Sequence, residues 1–335
     1  MNQIAVVILN YNGQKHLADF LPSVIQFSSC ATIYIADNAS TDNSLALLKT
    51  EFPTVNIIEL TENHGFAQGY NEALALVEAE YYVLLNSDVE VTPHWIEPII
   101  ELMSNDRTIA ACQPKIKAYA QKSHFEYAGA AGGFIDHLGY PFCRGRIFQE
   151  IEEDLGQYND TKEVFWATGA CMFVRADVFH QVGGFDGDFF AHMEEIDLCW
   201  RIHHAGYKVY TCGTSEVFHV GGGTLHKSNP YKTFLNFRNG LAMLYKNHPE
   251  EGFALAILTR LVLDGVAGIK FLFFDTWQDC WAVARAHFDF YAHYYSWYKK
   301  RQQLQRKKNI STVYRRNIVW QHFINDIKTY PEIPQ

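Results

Sequence analysis

Four short polar clusters punctuate the first ninety residues, each directly after an apolar run: Asn10-Tyr11-Asn12, Asp37-Asn38-Ala39-Ser40-Thr41-Asp42, Asn63-His64-Gly65-Phe66-Ala67 and Asn86-Ser87-Asp88. Taken singly, Asn, Asp and Ser at such places make turns and cap the helix that follows. Four together ask for more, because capping requires neither Tyr11 nor the run Gly65-Phe66-Ala67-Gln68-Gly69. Gly65 and Gly69 let backbone approach a ligand closely, and the free amides of a helix start favour an anion. Further along, Glu194, Glu195 and Asp197 put three carboxylates into four residues, and His219 precedes Gly221-Gly222-Gly223. Carboxylates at a helix start complement its dipole and are also candidate proton acceptors. In a helix Glu194 and Asp197 share a face, which leaves Glu195 to face a cleft. His203-His204, and His192 with Glu195, lack the rest of a zinc constellation and read as surface or packing residues.

These clusters need a frame, and the pattern between them supplies it. Short β-rich runs over residues 4–9, 33–37, 55–60 and 81–86 alternate with stretches of three- and four-residue apolar spacing over 14–27, 44–52, 67–78 and 93–103. That alternation predicts βαβ units and a largely parallel sheet flanked by helices, an α/β fold. Ligands of such sheets sit outside the carboxyl ends of the strands, where the four clusters fall. A Gly-rich irregular region, 127–145, leads into a mixed segment with a helix over 193–205 and strands near 207–210 and 217–220. From about Tyr231 the pattern turns helical to the end, so the expected division is a domain over 1–240 and a C-terminal helical region over 241–335.

Composition narrows the function. The chain has 335 residues, 48% of them hydrophobic, 19% charged and 15% aromatic, which suits an ordered globular protein with a full core. A formal net charge of −9 argues against a nucleic-acid partner. Seven cysteines without a Cys-x-x-Cys pair read as reduced packing residues. The longest apolar stretch, 253–274, is interrupted by Arg260, Asp264 and Lys270, which argues against a spanning helix. The expected location is cytoplasmic, or peripheral on the inner face of the plasma membrane.

Taken in order, the segments Val6-Val7-Ile8-Leu9-Asn10-Tyr11-Asn12, Ala36-Asp37-Asn38-Ala39-Ser40-Thr41-Asp42, Asn63-x-Gly65-Phe66-Ala67-x-Gly69-x-Asn71 and Leu84-Leu85-Asn86-Ser87-Asp88 resemble glycosyltransferase family 2 enzymes of the GT-A fold, in particular the rhamnosyltransferase-like branch. Thr168-Gly169-Ala170, Phe185-Asp186, Glu194-Glu195-Ile196-Asp197, His219-Val220-Gly221-Gly222 and Arg238-Asn239 follow in the family's order. The resemblance spans residues 4 to 245. It implies an inverting enzyme that moves a sugar from a nucleotide sugar, dTDP- or UDP-linked and rhamnose-like, to a saccharide or lipid-linked oligosaccharide in cell-surface polysaccharide synthesis. It further implies that Asp37 holds the base or ribose, with Asn10, Tyr11 and Asn12 lining that pocket. Asn63, Gly65, Phe66, Gly69, Asn71, Asn86 and Ser87 complete the donor site. A divalent cation, magnesium or manganese, would cross the diphosphate, held by Asp88 and His219. The family's usual Asp-x-Asp is Asn86-Ser87-Asp88 here, so one carboxylate is replaced by an amide. Glu195 matches the family's general base, with Glu194 and Asp197 beside it. Trp166, Thr168 and Gly169 fall on the acceptor side.

A nicotinamide oxidoreductase shares the alternation, but Asn10-Tyr11-Asn12-Gly13 stands where a Gly-x-Gly-x-x-Gly would follow the first strand. A nucleotide-sugar-binding scaffold without turnover is the non-enzymatic alternative. Near the C-terminus, aromatics over 288–298 adjoin six cations in the ten residues 299–308. That join suits an anionic membrane surface, or a helical cap whose aromatics pack inward and whose charges are solvated.

Overall fold

The computed structural model describes residues 3–221 and 229–334. Its first part runs β1 (Ile4–Asn10), α1 (Gln14–Phe27), β2 (Thr32–Asp37), α2 (Ser44–Glu51), β3 (Asn56–Glu59), α3 (Gly65–Leu74) and β4 (Tyr81–Asn86). These are the alternating elements expected from the pattern, with ends shifted by a few residues. Next come β5 (Val89–Val91), α4 (Glu97–Asn105), β6 (Ile109–Ala118), and the short strands β7 (Gly133–Asp136), β8 (Pro141–Cys143), β9 (Arg146–Ile147) and β10 (Glu150–Ile151). β11 (Thr161–Val164), β12 (Cys171–Arg175), α5 (Ala176–Gln181), α6 (Glu194–Ala205) and β13 (Lys208–His219) follow. The remainder is α7 (Pro230–Asn247), α8 (Phe253–Phe274), α9 (Trp277–Ala292), α10 (Tyr294–Gln303), β14 (Val313–Tyr314) and α11 (Ile318–Phe323).

The main sheet has the order β11-β13-β6-β12-β4-β1-β2-β3, with β5 alongside β13. β1 pairs parallel with β2 and β4, and β6 pairs parallel with β13; β12 runs antiparallel between β4 and β6. The carboxyl ends of β1, β2, β4, β6 and β13 therefore share one edge with the start of β12. β4 is buried on both faces from Tyr81 to Leu85, which is why it reads as an unbroken apolar run. Two apolar layers cover the sheet, one built around Leu17, Trp95 and Ile99, the other around Tyr70, Phe179 and Leu198.

Three expectations change. The two strands expected near 207–210 and 217–220 are one, β13 (Lys208–His219), with a bulge between Cys212 and Glu216. That irregularity sits at Pro114 of β6, a strand the sequence reading did not propose. Pro114 has no N–H for a ladder, and the register shift beside it removes the need for one. Second, the Gly-rich stretch is not irregular throughout: β7 to β10 make a second, antiparallel sheet. Third, the C-terminal region is not wholly helical, because β14 joins that sheet parallel to β7, pairing Val313 with Ile135. α7 runs unbroken through residue 240.

Candidate active site

At the ends of β1 and β2, Asn10 and Asp37 are buried and bonded to each other, Nδ2 donating to Oδ1 at 3.0 Å. Asp37 Oδ2 accepts from the Ser40 amide at 2.9 Å. A carboxylate only accepts, so the Asn10 amide nitrogen must face it, and Asn10 Oδ1 is left without a partner. A Cβ on Gly13 would overlap that oxygen, so only glycine fits there. Tyr11 is 45% exposed at the rim. Asn12 Oδ1 accepts from the amides of Thr41 and Asp42, so this side chain braces the β2 loop.

The α3 entry departs from the anion-site expectation. The amides of Phe66 and Ala67 both donate to the Phe190 carbonyl, at 2.8 and 3.1 Å, so the helix start is already capped by protein. Gly65 has φ +75, and a Cβ there would strike the Phe190 ring. Asn63 Oδ1 accepts from the Gly65 amide and from Asn38, closing the turn. Gly69 lets α3 lie close on Leu9. Asn71 is likewise a clamp: its amide exchanges two hydrogen bonds with the Phe185 backbone, at 2.8 and 2.9 Å.

β5 turns back from Asp88 and pairs with the end of β13, setting Val89 opposite His219. Asp88 Oδ1 then lies 3.2 Å from His219 Nε2, and Asn86 Nδ2 lies 3.4 Å from the same nitrogen. On the other side, His219 Nδ1 meets Glu126 Oε2 at 3.2 Å. All three ionisable groups are buried. Burial alone would lower the His219 pKa, but the Asp88 and Glu126 carboxylates outweigh it and push it up to about 10. Burial raises Asp88 and Glu126, yet their bonds to His219 hold both below the usual carboxylate range. Nothing local in the sequence marks Glu126. It follows a turn of plain composition, and only the β6–β13 pairing brings it to His219. Gly222 and Gly223 of the expected glycine loop lie outside the described residues.

α6 begins after a tightly held loop in which Phe190, His192 and Met193 all have positive φ. Asn239 Nδ2 donates to the carbonyls of Phe189, Ala191 and His192, at 2.9, 2.9 and 2.7 Å, which accounts for the Arg238-Asn239 pair seen in the sequence. Asn239→Ala would strand those carbonyls in a buried setting. The expected cost is about 1–3 kcal/mol of stability, read by urea denaturation, with kcat falling as α6 loses its anchor.

The three carboxylates of α6 separate. Asp197 is fully buried and pairs with Arg201 at 2.9 Å and Lys246 at 3.0 Å, with Asn247 donating at 2.8 Å. Burial raises its pKa, but the Lys246 and Arg201 charges prevail and hold it low. It is an anchor, which corrects its place among the base candidates. Glu194 is buried with Oε2 unpartnered, and burial together with the Glu195 charge drives its pKa well up. Glu195 is partly exposed, its Oε2 also lacks a partner, and burial raises its pKa to about 7.

Short separations place the three regions along one edge. Asp37 touches Asn10; Ser87 Oγ lies 3.5 Å from where a Gly13 Cβ would stand; the Asn86 amide donates to the Ala170 carbonyl at 3.0 Å. A Cβ on Gly169 would sit 3.1 Å from the Phe66 ring and 3.9 Å from Glu195 Cβ. Thr168 and Trp166, expected on the acceptor side, are buried instead. Thr168 receives the Ala170 amide, and Trp166 Nε1 donates to Phe134 O at 3.0 Å.

A mostly parallel sheet with polar loops gathered at its carboxyl edge, flanked by helices and extended by a helical region, defines a GT-A nucleotide-sugar glycosyltransferase. Residues 5–183 match the family described as glycosyl transferase family 2, more than half of the chain, and the protein belongs to that family. It is similar to the N-acetylglucosaminyl-diphospho-decaprenol L-rhamnosyltransferase of Mycobacterium tuberculosis, 26% identical over 235 residues, 64% of this chain and 75% of that protein. Among solved structures, GalNAc-T7 with UDP, GalNAc and Mn2+ shares the fold at TM-score 0.57 and 18% identity, over 75% of this chain and 49% of that one. The mannosyltransferase PcManGT from Pyrobaculum calidifontis, in complex with GDP-Man and Mn2+, does so at TM-score 0.51 and 13% identity, over 90% and 84%.

Proposed function

We propose that the enzyme transfers a hexose or rhamnose from a dTDP- or UDP-linked donor to a saccharide or lipid-linked oligosaccharide in cell-surface polysaccharide synthesis, with inversion at the anomeric carbon. The observation that carries the reading is the alignment of Asp37, Asp88 and Glu195 on one sheet edge through Asn10, Ser87, Asn86 and Gly169. Asp37 and Asn10 offer acceptors to the imide or hydroxyl groups of a neutral nucleoside, under Tyr11. Glu195, with an unpartnered oxygen and a pKa near neutrality, takes the acceptor hydroxyl's proton as it attacks.

A divalent cation fits the Asp88 and His219 pair. Without an ion, the proton that Asp88 and Glu126 hold on the His219 ring bridges Nε2 to Asp88 across 3.2 Å; a cation would take that proton's place, with Glu126 on Nδ1 keeping Nε2 turned toward Asp88. The mixed oxygen and nitrogen donor set favours manganese over magnesium. Among the described residues no group of three or more His, Cys, Asp or Glu could hold a metal, so substrate phosphates would have to supply the remaining ligands. Such an ion would neutralise the departing nucleotide.

Thermal unfolding with a panel of nucleotide sugars, with and without Mn2+, tests the reading. A dTDP- or UDP-linked sugar should raise Tm by several degrees with the ion and less without it, and product NMR should show the inverted linkage. A panel without any stabilising donor would overturn it.

A further inference from the structure

We propose that the outward face of α8 rests on an anionic lipid bilayer, with the helix lying in the plane of the surface. α8 is inside-out for a helix in water. Leu255, Leu258, Val262, Val266, Ile269 and Phe273 recur every three or four residues and are 57–74% exposed, whereas the charged Arg260 and Asp264 face the protein. Arg260 bonds Asp264 at 2.8 Å, and His287 and Tyr140 each reach Asp264 at 3.2 Å. The polar side is thus fully engaged, and the solvent side is a continuous apolar stripe of the kind that marks a contact surface.

The stripe continues into exposed Phe274, Trp277 and Trp281 at the turn between α8 and α9, and Lys270 lies over the exposed Phe323 of α11 at 5.1 Å. Tryptophan beside cations suits the headgroup layer, where an amphipathic ring and a charge both find partners. Charge chooses between a bilayer and a second copy of the chain. Exposed Lys270 of α8, which lies over Phe323 of α11, and exposed Arg315 and Arg316 just before α11 outnumber the exposed Asp275 that follows α8. Anionic lipid attracts that cluster of cations, whereas a twofold contact would set like charge against like. No described helix is long and apolar enough to cross a membrane, and α8 packs along α7 and α9, so it lies flat.

The basic run 299–308, which the sequence offered as the membrane contact, is largely spent within the protein. Lys300 pairs with Asp186 and with Asp188, Arg301 with Glu250 at 3.1 Å, and Arg306 also with Glu250. Phe290 and Trp297 are buried. The bilayer contact moves from that run to α8.

Flotation of the full chain with phosphatidylglycerol–phosphatidylcholine vesicles tests this without any sugar substrate, so its result is independent of the transferase reading. The protein should float with the mixed vesicles and stay below pure phosphatidylcholine. Because three exposed apolar side chains leave the interface, the triple variant Val262→Gln, Val266→Gln, Ile269→Gln should bind about tenfold or more weakly. Its Tm should not change. Wild type remaining in solution, or the triple variant floating as well as wild type, would overturn the proposal. So would a wild-type dimer in light scattering that the triple variant turns into a monomer, since the occupant would then be a second copy.

Discussion

Glu195→Gln is expected to lower kcat by about 10²- to 10⁴-fold, the usual contribution of a positioned base, while leaving donor affinity nearly unchanged. Glutamine keeps the shape of the side chain beside Gly169 but cannot accept the acceptor's proton. The pH dependence carries a second signature. The base works deprotonated, and burial holds its pKa at about 7, so wild-type kcat should rise through that pH and level off above it. In the variant this limb should vanish. Stability must move the other way, because a carboxyl whose folded pKa lies above its unfolded value binds its proton more tightly when folded. Its contribution is fully present below the unfolded pKa, near 4.5, and is lost as pH rises through about 7. Glu195→Gln should therefore be more stable than wild type at pH 8 while nearly inactive, a combination that misfolding cannot produce. Nucleotide release assays against pH and thermal unfolding at two pH values would measure both. Full turnover with an unchanged pH profile would remove Glu195 from the base role, and donor binding without turnover in wild type would favour a scaffold.

The strand edges were legible because a buried parallel strand is an apolar run and its loop is where polarity begins. Asn10, Asp37, Asn86 and Asp88 announce themselves in that way. The same signal misleads about direction. Asn12, Asn63 and Asn71 have the residue type and position of ligand contacts, yet their amides close turns or clamp Phe185. A loop asparagine that bonds backbone and one that bonds substrate are chemically identical in a sequence. The α3 amides failed for a related reason, since the carbonyl that caps them, that of Phe190, comes from more than a hundred residues away.

What stayed hidden was set by register and long-range charge. Glu126 reaches His219 only because β6 and β13 pair, and β6 itself was masked by Pro114, a residue that ordinarily argues against an interior strand. Asp197 looked like a base candidate by spacing, but Lys246 lies forty-nine positions on, in a helical stretch with no local cue to the ion pair. α8 is the converse case. Its apolar run with three charges was visible, but which face points outward depends on the burial of Arg260 against Asp264.

Asp88→Asn is expected to reduce kcat/KM by about 10²- to 10³-fold, on the scale of several kcal/mol that an ion supplies at a departing diphosphate. The substitution preserves volume and hydrogen bonding, so the β5 turn and its pairing with β13 should survive. What it removes is the one carboxylate facing His219 Nε2, since Asn86 already holds the neighbouring position with an amide. Two amides and an imidazole make a poor site for a hard cation, so the variant should bind Mn2+ weakly in the presence of nucleotide. Nucleoside binding rests on Asp37 and Asn10 at a different strand end, and the ion-independent part of the affinity should remain. Calorimetric titration of UDP and dTDP with and without Mn2+ separates the two contributions, because wild type and variant should differ only when the ion is present. His219→Gln should act in the same direction, since it removes the nitrogen that Glu126 holds in place. Equal ion dependence in Asp88→Asn and wild type would show that the cation, if used, is held elsewhere, and would leave Asp88 as a fold residue that fixes the His219 ring.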